Sequence, residues 1–73
     1  MNQQEFDEVI AAYRKKGISD EDIALGMTRA FQAKRITRNA YEAILGALGF
    51  YLDKQHASLS DEELIKAIEK ELK

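Results

Sequence analysis

The sequence predicts an all-α protein, a small bundle of four short helices formed by a single domain of 73 residues. Apolar residues recur mostly at intervals of three and four positions, which is typical of helices with one buried face. Proline is absent and only four glycines occur, as expected for helices joined by tight turns. At three places a hydroxyl that can cap a helix lies between two apolar residues that can close its first turn as a hydrophobic staple. They are Ile18-Ser19…Ile23, Ile36-Thr37…Tyr41 and Leu59-Ser60…Leu64.

The helices are predicted over residues about 3–16, 20–33, 38–54 and 61–72. Asn2 with Glu5 matches a capping box at the start of the first helix, and Gly17 follows its end, where glycine commonly terminates helices. Gly26 lies in the middle of the second helix and weakens it by about 1 kcal/mol relative to alanine. We expect this glycine to allow a close helix crossing.

The third helix is the most apolar segment, because Glu42 is the only charged residue between Ala40 and Leu52. A helix that is apolar nearly all round is either central in its domain or covered by another molecule. Gly46 and the alanines beside it form a narrow face of small residues, against which we expect the backbone of a second helix to pack closely. A polar linker over residues 53–58 then leads to the last helix, which is amphipathic.

The core is predicted from the apolar face of each helix, with the third helix at its centre. Its members are Phe6, Val9, Ile10, Tyr13, Ile23, Met27, Phe31, Tyr41, Ile44, Leu45, Leu48, Leu52, Leu64 and Ile68.

The composition excludes several classes of protein. The chain has no cysteine, so no disulfide or thiolate metal site can stabilise it. No apolar run approaches the roughly 18 residues of a membrane span, and the first residues lack the pattern of a signal peptide. We therefore expect a cytoplasmic protein that has no membrane-spanning segment.

Catalysis is not expected from this sequence. His56 is the only histidine, it lies in the predicted linker, and neither a nucleophile nor an orienting group accompanies it. The acidic clusters lie at helix starts, which the helix dipole favours, and they lack the spacing of a calcium loop. We expect no enzyme activity, no metal and no cofactor.

The favoured function is protein–protein interaction through the third helix, as an adaptor or inhibitor that binds a protein partner or a second copy of the chain. Large aromatic side chains at the centre of a contact supply much of the binding energy in such interfaces. The predicted contact residues on the third helix are Tyr41, Ala47, Phe50 and Tyr51.

A small nucleic-acid-binding helix-turn-helix protein is the alternative. The second and third helices would form the motif, with Arg38 and Asn39 at the start of the recognition helix and Lys34 and Arg35 near phosphates. A sequence pI near 5.3 disfavours this interpretation, because dedicated DNA binders are usually basic.

Residues 31–46, which read FQAKRITRNAYEAILG, resemble the helical hairpin of two groups of short bacterial proteins. One group is the XkdX type, encoded beside phage tail genes, and the other is the SHOCT type, a helical module associated with oligomerisation. Ile36-Thr37, Tyr41, Ile44 and Gly46 match the shared pattern. The chain departs from it at Lys34 and Arg35, where both groups usually have a glycine. The resemblance implies a bacterial or phage accessory protein that acts through contacts.

Overall fold

The computed structural model describes residues 3–50 and 54–72, and within these ranges all regular structure is helical. The all-α prediction is therefore confirmed. The described residues form four helices of ten or more residues, and one single-turn helix precedes the last of them. In chain order the helices are α1 (Gln3–Lys15), α2 (Asp20–Gln32), α3 (Arg38–Ala47), α4 (Lys54–Ala57) and α5 (Asp61–Glu71).

Three helices begin with the hydroxyl caps that the sequence predicts. The side chains of Ser19, Thr37 and Ser60 each accept a hydrogen bond from the backbone N–H three residues later, at 3.1–3.2 Å. At α5 the Glu63 side chain also accepts from the Ser60 N–H at 3.0 Å, which completes a capping box. These backbone and hydroxyl hydrogen bonds lower the pKa of the Glu63 carboxyl. The capping box predicted for α1 involves Asn2, which lies outside the described residues.

The ends of α1, α2 and α3 share a second pattern, the Schellman motif, in which a residue with positive φ terminates the helix. At α1 the Gly17 N–H donates to the Arg14 carbonyl at 2.9 Å and the Ile18 N–H donates to the Tyr13 carbonyl at 3.2 Å. The same two bonds close α2 and α3. The residues with positive φ are Gly17 (86°), Lys34 (60°) and Gly49 (92°).

The third helix is shorter than predicted. It ends at Ala47 instead of continuing to about residue 54, because Gly49 adopts positive φ and the Phe50 N–H turns back to the Leu45 carbonyl at 2.9 Å. The predicted linker over residues 53–58 is also wrong in part, since it contains α4. The predicted helix was too long because apolar residues continue in the sequence after the turn at Gly49, and an apolar run does not itself show where a helix ends.

The core lies between α3 and the helices α1 and α2, which both pack against it, while α5 packs on α2. Val9, Tyr13 and Met27 are only half-buried, and Leu52 lies outside the described residues. Sequence analysis did not include Thr28 and Ile65 in the core, although both are buried. The ten predicted core residues that are buried are Phe6, Ile10, Ile23, Phe31, Tyr41, Ile44, Leu45, Leu48, Leu64 and Ile68.

Neither mid-helix glycine lies at a close helix crossing within the described part of the chain. A Cβ atom built on Gly26 or on Gly46 would meet nothing within 4 Å. Both predictions of close approach are therefore wrong for the single chain. Both glycines face outwards, where the surface is open.

Tyr41 joins α2 to α3 by two contacts. Its ring stacks on Phe31 with the ring centroids 4.6 Å apart, and its hydroxyl lies 2.7 Å from Thr28 Oγ1. Thr28 Oγ1 also lies 2.8 Å from the Ala24 carbonyl, to which it donates its only hydrogen. The Tyr41 hydroxyl must therefore donate to Thr28. Burial raises the pKa of this phenol.

Replacing Thr28 with valine should destabilise the protein by about 1–3 kcal/mol, because the buried Tyr41 hydroxyl would lose its acceptor. Tyr41→Phe should cost less, since Thr28 keeps its bond to the Ala24 carbonyl. The double variant should be more stable than Thr28→Val alone, because no buried polar group remains unpaired. Urea unfolding of the three variants measures this, and additive losses would contradict the assigned bond direction.

Replacing Lys34 with glycine should stabilise the protein by up to about 1 kcal/mol. A residue with a side chain costs roughly 1–2 kcal/mol in the left-handed region, and glycine removes this strain. The larger conformational entropy of glycine in the unfolded state offsets part of the gain. Gly17→Ala is the matched variant and should destabilise the protein, because alanine would have to adopt the positive φ of Gly17. Thermal unfolding monitored by circular dichroism distinguishes the two directions. A lower melting temperature for Lys34→Gly would mean that the lysine side chain itself stabilises the turn.

Candidate interaction surfaces

Tyr41, predicted as a surface anchor, is completely buried. Helical periodicity places it on the same side of α3 as Ile44, Leu45 and Leu48, and this side faces α1 and α2. Its assignment as a partner-binding residue is therefore wrong for this conformation. The hydrophobic staple explains the burial of Tyr41, because the second apolar residue of a staple packs against the apolar residue that precedes the cap.

The other three predicted contact residues lie at or beyond the end of α3. Ala47 and Phe50 are half-buried and pack against the core. Phe50 follows the terminating Gly49, a position from which an apolar side chain commonly folds back onto the preceding helix. Tyr51 lies outside the described residues. The end of α3 therefore exposes less apolar surface than the sequence suggests.

A groove between α1 and α3 forms the first surface that could bind another molecule. Its volume is about 530 Å³, which lies within the range that is typical of ligand-binding pockets. Phe6 contributes from α1, Ala40 and Ala43 contribute from α3, and Ile36 contributes from the turn before α3. We name these four residues the floor of the α1–α3 groove.

The rim of the α1–α3 groove is polar. Arg35, Thr37 and Asn39 line it, and all three are exposed. Arg35 is the only charged residue among those that line the groove within the described ranges. Sequence analysis missed the floor because its members come from two helices and a turn. The small residues Ala40 and Ala43, spaced three apart on α3, were the available signal.

Arg38, predicted to contact nucleic acid, has an internal structural role instead. Its guanidinium donates to the Leu59 carbonyl at 2.6 Å and to the His56 carbonyl at 3.0 Å. It also pairs with Asp61 at 3.0 Å and with Glu42 at 3.4 Å. These contacts tie α4 and the start of α5 to α3. The prediction that Arg38 contacts nucleic acid from the start of a recognition helix does not fit these contacts.

The position of Arg38 in the sequence carried a signal of this role. It is the first residue of α3, where the helix dipole disfavours a cation. Carbonyl groups near the end of α4 and the carboxylates of Glu42 and Asp61 supply the compensating negative charge. A second ion pair joins α1 to α2, where Arg14 contacts both carboxylate oxygens of Asp20 at 2.8 and 2.9 Å. This pair lowers the pKa of Asp20 and raises that of Arg14.

The remaining residues of the predicted nucleic-acid site are exposed. Lys34 and Arg35 lie in the turn after α2, and Asn39 lies in the first turn of α3. Lys34 also lines a wider groove of about 660 Å³ between this turn and α5. That groove has mixed charge, since Asp61, Glu62 and Glu69 line it as well.

Within residues 3–50 and 54–72, no group of three or more His, Asp or Glu side chains lies close enough together to hold a metal ion. None of the described helices combines the length and the apolar character that crossing a membrane requires. His56 is half-buried in α4, and its carbonyl accepts the bond from Arg38.

Replacing Arg38 with alanine should destabilise the protein by about 1–3 kcal/mol, because several charge-assisted hydrogen bonds are lost. The effect should be largest in α5, where amide hydrogens should exchange faster than those of α1. Arg38→Lys should restore little, since an ammonium group cannot reproduce the fork that reaches both carbonyls. Hydrogen exchange measured by NMR checks this, and uniform acceleration across all helices would contradict a local role.

No protein-family model matches this chain, and neither does any curated protein or solved structure in the comparisons. The resemblance of residues 31–46 to the XkdX and SHOCT types therefore stays a prediction based on those residues alone.

Proposed function

We propose that the protein is a protein-binding module without catalytic activity, and that the α1–α3 groove is its binding site. The observation that carries this proposal is the groove's apolar floor beside a rim that can donate hydrogen bonds. A concave site of a few hundred Å³ with few convergent polar groups is typical of specific binding. The third helix thus takes part in binding, but through the face around Ala40 and Ala43 rather than through Tyr41.

The partner we propose is an amphipathic helical segment of another protein. The flat surface over Ala40 and Ala43 leaves room for apolar side chains spaced at three and four positions along such a segment. Arg35 at the rim favours an acidic residue beside them, while Asn39 and the Thr37 hydroxyl can hydrogen-bond to its polar edge. The small groove favours a transient complex rather than an obligate one.

The resemblance of residues 31–46 to XkdX-type and SHOCT-type proteins supports the same class of function. We extend the proposal accordingly to an adaptor or inhibitor of bacterial or phage origin that acts in the cytoplasm. Nucleic-acid binding is the second candidate, favoured by the adjacent exposed cations Lys34 and Arg35. Arg38 is held by its internal contacts, so this surface offers fewer nucleic-acid contacts than the sequence predicted.

A panel of amphipathic helical peptides with acidic or basic polar faces tests the proposal by fluorescence anisotropy. Acidic peptides should bind better than basic ones. Ala43→Glu should weaken their binding at least about tenfold, because it places an unpaired charge against an apolar ligand. Ala11→Glu is the matched control, since Ala11 is exposed on α1 and does not line the groove. Equal losses in both variants would contradict the proposed site.

A labelled DNA duplex and a labelled RNA of random sequence distinguish the second candidate. Phosphate binding would weaken steeply as salt rises. It would be lost in the Lys34→Glu/Arg35→Glu double variant and retained in Ala43→Glu. If the DNA or the RNA binds in this way and the peptides do not bind, nucleic-acid binding would replace the proposal.

A further inference from the structure

The outward face of α2 is a second uncovered surface. Its residues recur at helical spacing on the side opposite the core, and they are Asp22, Leu25, Gly26, Arg29 and Ala33. Among the described residues, Leu25 is the large apolar side chain that is exposed, at 36%. Gly26 has open space around it, as noted above. Leu25 and the open space at Gly26 leave room on this face for close contact with another molecule.

Two shallow cavities meet on this face. One, of about 280 Å³, is lined by apolar residues that include Tyr13, Ile18 and Met27. The other, of about 270 Å³, lies near the end of α2 and is also lined by Arg29, Ala33 and Arg35. Both are lined by Gly26 and Ala30, so that together they form one continuous groove along the helix.

The charges along α2 are arranged with opposite signs at its two ends. Asp22 lies in the first turn and Arg29 lies in the last turn. Both side chains are exposed, and neither forms an ion pair with any other described residue. Asp20 differs, because Arg14 already neutralises it. An antiparallel copy of the same helix is the ligand that complements this order of charges.

We propose that the protein forms a symmetric dimer in which α2 packs antiparallel against α2 of a second copy, with the crossing at Gly26. At about 1.5 Å of rise per residue, Asp22 lies about 6 Å before Gly26 and Arg29 lies about 4.5 Å after it. The two positions also differ by only about 20° around the helix axis. A two-fold axis through the crossing therefore brings Asp22 of each copy beside Arg29 of the other.

The same two-fold axis brings the two Leu25 side chains together on one side of the crossing. In a two-fold contact the same surface of each copy faces the other, so each contact between two residues occurs twice. Gly26 has no side chain and lets the two backbones approach, while the helix dipoles run in opposite directions. The crossing lies on α2, away from the floor of the α1–α3 groove, and the two surfaces share Arg35, which lines both the rim of that groove and the second cavity. This inference goes beyond the proposed function and does not depend on it.

Sedimentation equilibrium over a concentration series, from micromolar to millimolar, tests the dimer. The unaltered chain should shift towards twice its monomer mass as concentration rises. Asp22→Arg and Arg29→Asp should each weaken the dimer at least about tenfold, because each places like charges together at both ends of the contact. The double variant should recover dimerisation, since it restores both pairs with their signs exchanged. A wild-type chain that stays monomeric throughout, or a double variant that does not recover, would overturn the proposal.

Gly26→Gln separates loss of the dimer from loss of folding. Glutamine is a better helix former than glycine, so the melting temperature of the dilute monomer should rise. The same side chain would hold the two backbones apart, and the dimer should be lost. Ala43→Glu should dimerise like the unaltered chain. If Ala43→Glu abolishes dimerisation while Asp22→Arg leaves it intact, the contact uses α3, and the α2 assignment is wrong.

Discussion

The buried hydroxyl of Tyr41 sets the relative position of α2 and α3, on which the rest of the fold depends. Its ring lies on Phe31, and its hydrogen bond to Thr28 must be kept because an unpaired polar group in the core is costly. Apolar contacts alone tolerate sliding of one helix on another, whereas a hydrogen bond between two buried side chains does not. A chain of 73 residues without disulfides buries a limited apolar area, so such a constraint matters more here than in a larger domain.

The starts of α1, α2, α3 and α5 and the ends of α1, α2 and α5 agree with the sequence predictions to within one residue, whereas the end of α3 and the whole of α4 do not. Ser19, Thr37 and Ser60 act within four residues of themselves, so a short stretch of sequence contains the whole motif. The end of α2 is different, because Lys34 adopts a backbone conformation that its residue type does not indicate. The families that residues 31–46 resemble usually have a glycine in this turn, which is consistent with a positive φ there. At the end of α3, Gly49 gave the correct signal, but the apolar residues after it favoured continuing the helix.

The candidate sites were harder to predict because exposure depends on which helices cover which faces. Periodicity placed Tyr41 on a stripe but could not say that this stripe is the covered one. The α1–α3 groove combines Phe6 with Ala43, residues that are far apart in the sequence and individually unremarkable for binding. For Arg38 the sequence did indicate a structural role, since a cation at the start of a helix requires negative partners. Glu42 lies four residues away on the same helix, whereas His56, Leu59 and Asp61 lie about twenty residues away, beyond the reach of any local pattern.

The basic residues between Arg14 and Arg38 are divided by the fold into groups with different roles. Arg14 and Arg38 are held in ion pairs that join neighbouring helices. Arg29 faces outwards on α2, on the same face as Asp22 at the other end of that helix, whereas Arg35 lies beside an apolar groove with no acid lining it. A face that carries both signs of charge complements a second copy of itself, and a face that carries one sign requires a different molecule. This difference in charge, more than any difference in shape, is why we assign self-association to α2 and partner binding to the α1–α3 groove.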